Sequence, residues 1–254
     1  MSYTFLVIGE KCLDVFVYGE AKRLSPEAPI PVFSPLHRVK NDGMAKNVYN
    51  NLFSLISQGS DNNELLGVFS DEGIIKTRYV DYKSNHSFLR VDEGDTSLPI
   101  KFSKYNKSMI TKADCIIISD YNKGFLSEAD IKAIVSHKKN DAIVFLDSKK
   151  KLSEGTAKFI DFIKFNKPES LLNEYICQHF PEKVIITKGS EGAYYDSHHF
   201  PTEQKLTIDV SGAGDTFLAS LAYYYMKEKQ ILIAISKANK CALKVVSERG
   251  VSVV

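Results

Sequence analysis

Cysteine is scarce and scattered. The four residues Cys12, Cys115, Cys177 and Cys241 lie far apart with no C-x-x-C pair. That spacing excludes a disulfide framework and gives no support to a zinc site. Three of them sit in apolar segments, where a free thiol behaves as a small buried hydrophobe. An excess of charge of either sign is also lacking. The 33 basic and 31 acidic residues leave a formal net charge of +2, too balanced to argue for nucleic acid as the main partner. No apolar run approaches the roughly 20 residues that a membrane span needs. The first such run, at 5–8, is too short and lacks the basic flank of a secretory leader. A cytoplasmic protein with neither a membrane nor a nucleic-acid partner is the expectation. No internal repeat or low-complexity linker interrupts the chain, so 1–254 is expected to form a single domain.

What is present is an alternating α/β pattern. Apolar runs rich in β-branched residues recur at 5–9, 64–69, 115–119, 142–147, 159–165 and 183–187. They do not alternate cleanly, which suits strands buried on both faces of a mainly parallel sheet. Helix-like stretches fall between them, at 45–57, 127–138, 169–179, 214–227 and 231–247, and the alternation predicts a layered α/β fold. Two segments break it. Residues 15–35 hold Pro26, Pro29 and Pro31, which suit extended edge strands. Residues 76–92 read as two strands joined by a turn at Ser84-Asn85-His86. Together they are expected to form a small β sheet beside the main body, a lid. The run Lys149-Lys150-Lys151 reads first as a solvated turn, with phosphate contact by one of the three as the alternative.

The most informative stretch is Asp209-Val210-Ser211-Gly212-Ala213-Gly214-Asp215-Thr216-Phe217, followed by a helical pattern. Gly-Ala-Gly permits a tight turn, and a helix beginning there adds unpaired N–H groups and the positive end of its dipole. Such a turn makes an anion hole suited to a transferring phosphoryl group. Asp215 beside it would accept the proton of an attacking hydroxyl. By spacing alone the string fits an ordinary helix start equally well.

The string DVSGAGDTF resembles the C-terminal motif of the ribokinase-like (PfkB) carbohydrate kinases, and the resemblance extends in order over nearly the whole chain. It implies a three-layer α/β/α fold with a mainly parallel central sheet and a small β lid. It also implies an ATP-dependent kinase with Asp215 as catalytic base and Gly212, Ala213 and Gly214 as the anion hole. Ser220 stands where many members carry glycine. Asn166-Lys167-Pro168-Glu169 resembles the family's N-x-x-E element, which implies that Asn166 and Glu169 organise Mg²⁺ and phosphate, with Glu169 toward the metal. Read alone, it is a capped helix start. Thr187, Gly189 and Gly192 fall in a turn resembling the family's T-x-G-x-x-G, which shapes the nucleotide site, and Asn239 falls where a residue near adenine is expected. Asp14 and Gly43-Met44-Ala45-Lys46-Asn47 resemble the sugar-binding elements, implying acceptor contacts from Asp14, Gly43 and Asn47. Only one glycine of the usual G-G pair is present, so either Met44 replaces the second or Asp42 the first.

Two longer strings, Tyr18-Gly19-Glu20 with residues 23–32 and Ser119-Asp120-Tyr121-Asn122-Lys123-Gly124, resemble the heptose-7-phosphate kinases within that family. The resemblance implies transfer to the anomeric hydroxyl of D-glycero-D-manno-heptose 7-phosphate. A phosphorylated acceptor needs cationic partners, and Lys46, Arg90 and Lys123 are the candidates. Two alternatives stay open: a kinase of the same family acting on another sugar, sugar phosphate or nucleoside, and a catalytically silent binding protein on the same fold. The lid strands offer edges that a homodimer would cover.

Overall fold

The computed structural model describes residues 2–71, 73–203, 209–247 and 253–254. Strand β1 (Thr4–Gly9) shows how the interior is sorted: Phe5 and Val7 join one buried cluster, Leu6 and Ile8 another. A strand apolar on both sides must be covered on both. The strands that extend this arrangement are β4 (Glu64–Phe69), β7 (Cys115–Asp120), β8 (Ile143–Ser148), β9 (Phe162–Asn166) and β10 (Val184–Thr187). They pair in parallel in the order β4-β1-β7-β8-β9-β10, and two short antiparallel strands, β11 (Ala193–Tyr195) and β12 (His198–Phe200), complete the 8-stranded sheet.

Helices α1 (Ala45–Gln58), α7 (Ala213–Glu228) and α8 (Ile231–Val245) cover one face, with Val48, Leu52, Phe217, Leu221 and Ile235 packed on Phe5, Val7, Ile117 and Phe145. Helices α2 (Lys104–Lys112) and α3 (Glu128–His137) cover the other, with Ile110, Ile131 and Ile134 against Ile8, Ile116 and Ile118. The result is the expected three-layer sandwich, its parallel strands all ending on one side.

A second sheet of four strands, in the order β3-β2-β5-β6, is formed by β2 (Lys11–Leu24), β3 (Pro31–Met44), β5 (Ile75–Asp81) and β6 (Ser87–Glu93). It differs from the expectation in two ways. The strands β2 and β3 are far longer than 15–35 suggests, and β2 is interior, flanked by β3 and β5. Pro31 and Pro35 lie on the edge strand β3, where a missing N–H is tolerated, while Pro26 and Pro29 fall in the bend between β2 and β3. Only Glu10 separates β1 from β2, and β3 runs directly into α1, so the small sheet is fused to the strand ends of the large one.

The helix expected over 169–179 is broken. Helix α4 (Glu154–Ala157) is followed, after β9, by α5 (Lys167–Leu172) and α6 (Glu174–His179). Asn173 stands between the last two with its side chain buried: Oδ1 accepts from Leu152 N at 2.7 Å, and Nδ2 donates to Lys150 O and Glu169 O at 3.0 Å. Anchoring the 150–152 segment outweighs helix continuity at that position. Strand β9 also starts later than the apolar run at 159: Phe159 is exposed, and Ile160, buried with Ile163 and Phe165, precedes the pairing with β8 that begins at Phe162.

Ser220, in the middle of α7, is fully buried and its hydroxyl has no hydrogen-bond partner among the described residues. A buried unpaired hydroxyl costs about 1–3 kcal/mol. Ser220→Ala is therefore expected to raise the melting temperature by a few degrees with activity unchanged, as read by thermal unfolding.

Candidate active site

The carboxyl ends of β1, β7, β8 and β9 deliver a run of polar side chains. Such crevices, at the point where strand order reverses, are where open α/β sheets bind ligands. Glu10, at the end of β1, is completely buried. Its Oε2 accepts from Tyr121 N at 2.8 Å, and its Oε1 accepts from Lys123 N at 3.0 Å and Phe125 N at 3.3 Å. This one carboxylate pins the loop after β7 over the sheet. The loop presents Tyr121, whose hydroxyl donates to Asp215 Oδ1 at 2.5 Å. Asn47 of α1 donates to Asp215 Oδ2 at 3.1 Å from the other side.

Asp215 lies in the first turn of α7, which Gly212 begins in the left-handed region at φ 82°. A side chain is strained there, so glycine is required to turn the chain into the helix. The amides of Gly214 and Asp215 make no hydrogen bond among the described residues, as the first turn of a helix leaves them. Burial raises the Asp215 carboxyl to about 6, against the lowering effect of the Tyr121 and Asn47 hydrogen bonds. A carboxylate in that range is matched to proton transfer near neutral pH.

Two cavities meet at Asp215. The smaller, about 320 Å³, is lined by Asp14, Met44, Lys76, Arg78, Arg90, Lys123 and Ser211. The larger, about 760 Å³, contains Asn166, Thr187, Gly189, Gly192, Ala213, Gly214 and Asn239, closed by Phe217, Leu243 and Val246. Tyr121, Lys149, Gly212 and Asp215 line both. The smaller cavity thus gathers Asp14, Arg90 and Lys123 from the acceptor residues expected by sequence, and the larger gathers the whole nucleotide set except Glu169.

The remaining sequence expectations are corrected by the geometry. Lys46 is not in the cavity wall; its Nζ lies 4.3 Å from the centroid of the Tyr49 ring and 5.3 Å from that of Phe69, because the α1 turn carries it away from β2. Asn47 is buried behind the cavity as a partner of Asp215. Gly43 lies beneath Asp14, and a Cβ there would overlap Asp14 Oδ2 and Cys12 Sγ. Gly43→Ala is accordingly expected to displace Asp14 and raise KM for the acceptor about tenfold, as a small packing clash of 1–3 kcal/mol would, with KM for the nucleotide unchanged in steady-state kinetics. Met44 resolves the glycine-pair ambiguity: it holds φ 57°, ψ −137°, a conformation glycine favours. Met44 therefore stands at the second glycine position, with its side chain in the cavity wall.

Several site residues carried no sequence signal. Lys76 and Arg78, two apart on β5, share one face of the lid, and Arg78 stands directly opposite Arg90 of β6. Arg78 pairs with Asp14, Arg90 with Asp92 at 2.6 Å, and Lys123 with Asp95. Lys76 is nine-tenths buried and has no ion pair within 4 Å among the described residues. Burial lowers its pKa, against the raising effect of Cys12 and Asp14. In the larger cavity, Lys164 donates to Asp147 Oδ2 at 2.8 Å, a pair buried beneath Gly214. The lysine run is only partly the expected solvated turn: Lys149 and Lys151 are exposed, but Lys149 lines both cavities and Lys150 pairs at 2.5 Å with buried Asp120.

The residues form no metal cage, since no group of three or more His, Cys, Asp or Glu side chains converges among the described residues. Glu169 is not the open ligand the sequence suggested. Its Oε2 accepts from Asn166 N at 2.7 Å, and its Oε1 accepts from Asn166 Nδ2 at 2.8 Å and Lys149 Nζ at 3.3 Å. About one acceptor position of four remains, enough for a water. That one position would fit Glu169 as a minor contributor to a Mg²⁺ site, the ion's other partners coming from outside the protein.

The sandwich, the second sheet and the carboxylate at a glycine-turned helix start define a ribokinase-like α/β protein with two cavities meeting at Asp215. The chain belongs to the pfkB family of carbohydrate kinases, whose profile matches residues 75–253. It is 30% identical to the bifunctional protein HldE of Pelobacter propionicus over an alignment covering 98% of this chain and 61% of that protein. The chain therefore spans about three-fifths of the length of that relative. Phosphofructokinase-2 from Escherichia coli superposes with a TM-score of 0.72 at 11% identity, covering 99% of this chain and 94% of that one. Ribokinase of Arabidopsis thaliana, solved with ribose and ATP, gives 0.68 at 14%, covering 98% and 94%. Among the described residues no helix is long and apolar enough to cross a membrane.

Proposed function

We propose that this carbohydrate kinase transfers the γ-phosphoryl group of ATP to the anomeric hydroxyl of a sugar that already carries a phosphate, D-glycero-D-manno-heptose 7-phosphate. The observation that carries the acceptor class is Lys76, a nine-tenths buried cation without an ion pair among the described residues, lining the smaller cavity. Burying a lone cation is expensive unless an anion meets it. Arg78 and Arg90, opposite one another across the sheet, bring two further cations to the same cavity, paired with Asp14 and Asp92. The heptose assignment rests on the strings at 18–32 and 119–124. Met44, which puts a side chain where the family pattern has bare backbone, favours as a second reading another phosphorylated sugar of different shape.

In this reading the larger cavity takes ATP, and a protein of the same fold has been solved with ribose and ATP. The smaller takes the acceptor, its hydroxyls on Asp14 and its phosphate on Lys76 and Arg90. Asp215 removes the proton from the acceptor hydroxyl, whose oxygen then displaces ADP from the γ-phosphorus in line. The free amides of Gly214 and Asp215 meet the developing charge. Glu169, with its one remaining acceptor position, would help hold a Mg²⁺, which when bound would supply positive charge to the nucleotide's phosphates. ATP as donor and four unpaired thiols support a cytoplasmic setting. The exposed edge strands β3 and β6, with Leu36, Val39, Leu89 and Val91 uncovered, support pairing of two lids in a homodimer, to be read by sedimentation.

A coupled ADP-release assay over free and phosphorylated sugars, heptose 7-phosphate among them, tests the function. Turnover confined to phosphorylated sugars is expected. Equal rates with unphosphorylated sugars would remove the acceptor class, and no ADP release with any sugar would leave only a binding protein.

A further inference from the structure

Four residues line both cavities: Tyr121, Lys149, Gly212 and Asp215. Three have parts in the transfer already described. Tyr121 holds the base, Gly212 turns the chain into α7, and Asp215 takes the proton. The fourth is a lysine, and among the described residues it is the one cation common to the two cavities.

Its surroundings separate it from its neighbours. Lys149 follows β8, and its backbone N donates to Asp120 O at 3.0 Å. Lys150 then turns away to pair with Asp120 and donates to Leu126 O at 2.7 Å. Lys150 thereby anchors the turn and leaves Lys149 over the cleft. The Lys149 Nζ lies 4.6 Å from the centroid of the Tyr121 ring, the ring whose hydroxyl holds Asp215. Its one ion pair, with Glu169 Oε1, is 3.3 Å long, beyond the 2.7–2.9 Å of a strong charge-assisted bond. The Glu169 carboxylate is held independently by Asn166, so it does not need the lysine to keep its place. The Lys149 side chain, 41% exposed, is not committed to the core.

Resting on the kinase reading, we infer that Lys149 is a catalytic residue that leaves Glu169 and contacts the transferring phosphoryl group at the junction of the two cavities. During transfer the bond between the γ-phosphorus and its bridging oxygen breaks as the bond to the acceptor oxygen forms. The acceptor proton passes to Asp215, and ADP departs with the electron pair of the broken bond. Charge spreads over the three equatorial oxygens as this happens. A lysine on a flexible stem is a point charge able to follow them. Cavity-lining cations on the lid lie on the acceptor side, and Lys164 is held by Asp147 beneath Gly214. Among the described residues Lys149 is the one cation that borders both the acceptor side and the nucleotide side of the junction.

The test compares Lys149→Gln, Lys149→Met and Lys149→Arg with wild type. The first two should lower kcat about 10²-fold, the loss typical of removing one group that stabilises transition-state charge, and Arg should recover most of it. In calorimetric titrations the Gln variant should bind ADP as wild type does. It should bind ADP with aluminium fluoride, which mimics the phosphoryl group in flight, about 10²-fold more weakly. Its melting temperature should stay near that of wild type, because the lysine is not a core residue. A Gln variant with kcat within threefold of wild type, or one that loses ADP and ADP–aluminium fluoride affinity equally, overturns the assignment. Wild-type protein that binds no ADP would instead bring down the kinase reading, and this inference with it.

Discussion

Asp215→Asn is expected to lower kcat by about 10³-fold while ADP affinity stays within about threefold of wild type. The asparagine keeps the shape of the side chain and can still accept from Tyr121 or Asn47, so the helix start and its amides stay in place. What is lost is the proton acceptor. The pH dependence follows from the same group. Burial raises the Asp215 carboxyl to about 6, so wild-type kcat/KM should fall as pH drops below that value and reach a plateau above it. Tyr121→Phe removes a hydrogen bond that lowers this pKa, so its acid limb should move to higher pH. Unchanged turnover in Asp215→Asn, or an acid limb that Tyr121→Phe does not move, would contradict the assignment.

The same carboxylate has a measurable cost for the fold. Its ordinary value is near 3.8 and its folded value about 6. Below pH 4 the group is neutral in both states and contributes nothing. Between the two values the unfolded chain is ionised and the folded one is not. Above pH 6 the folded protein bears the full cost, about 3 kcal/mol for a shift of about two units. Asp215→Asn should therefore be more stable than wild type at pH 8, with the gain shrinking toward pH 4. A variant that is stabler and slower is the signature of a site whose chemistry opposes its packing.

How much could be read from the sequence depended on whether a feature was built from contiguous residues. The candidate anion hole, 212–214, and Asp215 form one uninterrupted string, so the turn, helix start and carboxylate were legible together. The buried strands were legible because their apolar runs are short and covered on both faces. Helix α2 was not, since KYNKSMITK buries only Met109 and Ile110 and shows no apolar stripe. The Tyr121–Asp215 bond joins residues 94 apart, and the apposition of Arg78 and Arg90 exists only once β5 and β6 have a register. Lys149 was hidden for another reason. A charge run usually faces water, and here the run divides, one lysine to the cleft and one to a buried aspartate. The lid was foreseen as two segments, but its length was not, because the polar stretch 36–43 of β3 carries no apolar pattern.

Lys76→Met is expected to raise KM for a phosphorylated acceptor about 30-fold, and Lys76→Met with Arg90→Met by more than 10², since each charge-assisted bond contributes about 1.5–3 kcal/mol. The nucleotide KM should not change, because neither residue lines the larger cavity. Methionine nearly matches the length of the lysine stem, so the loss can be ascribed to charge and not to a void. Stability should move the opposite way from affinity. Burial lowers the Lys76 pKa, so folding opposes its charge, and that cost is full at any pH below the lowered value. Methionine removes this cost, and the melting temperature of Lys76→Met should rise. Phosphate ester added to wild type should raise it as well, and should do so less in the variant. The two readouts separate the alternatives for this cation. If it serves only the fold, Lys76→Met loses stability and keeps its KM. If it serves the acceptor's phosphate, the variant gains stability and loses discrimination between a sugar phosphate and the free sugar.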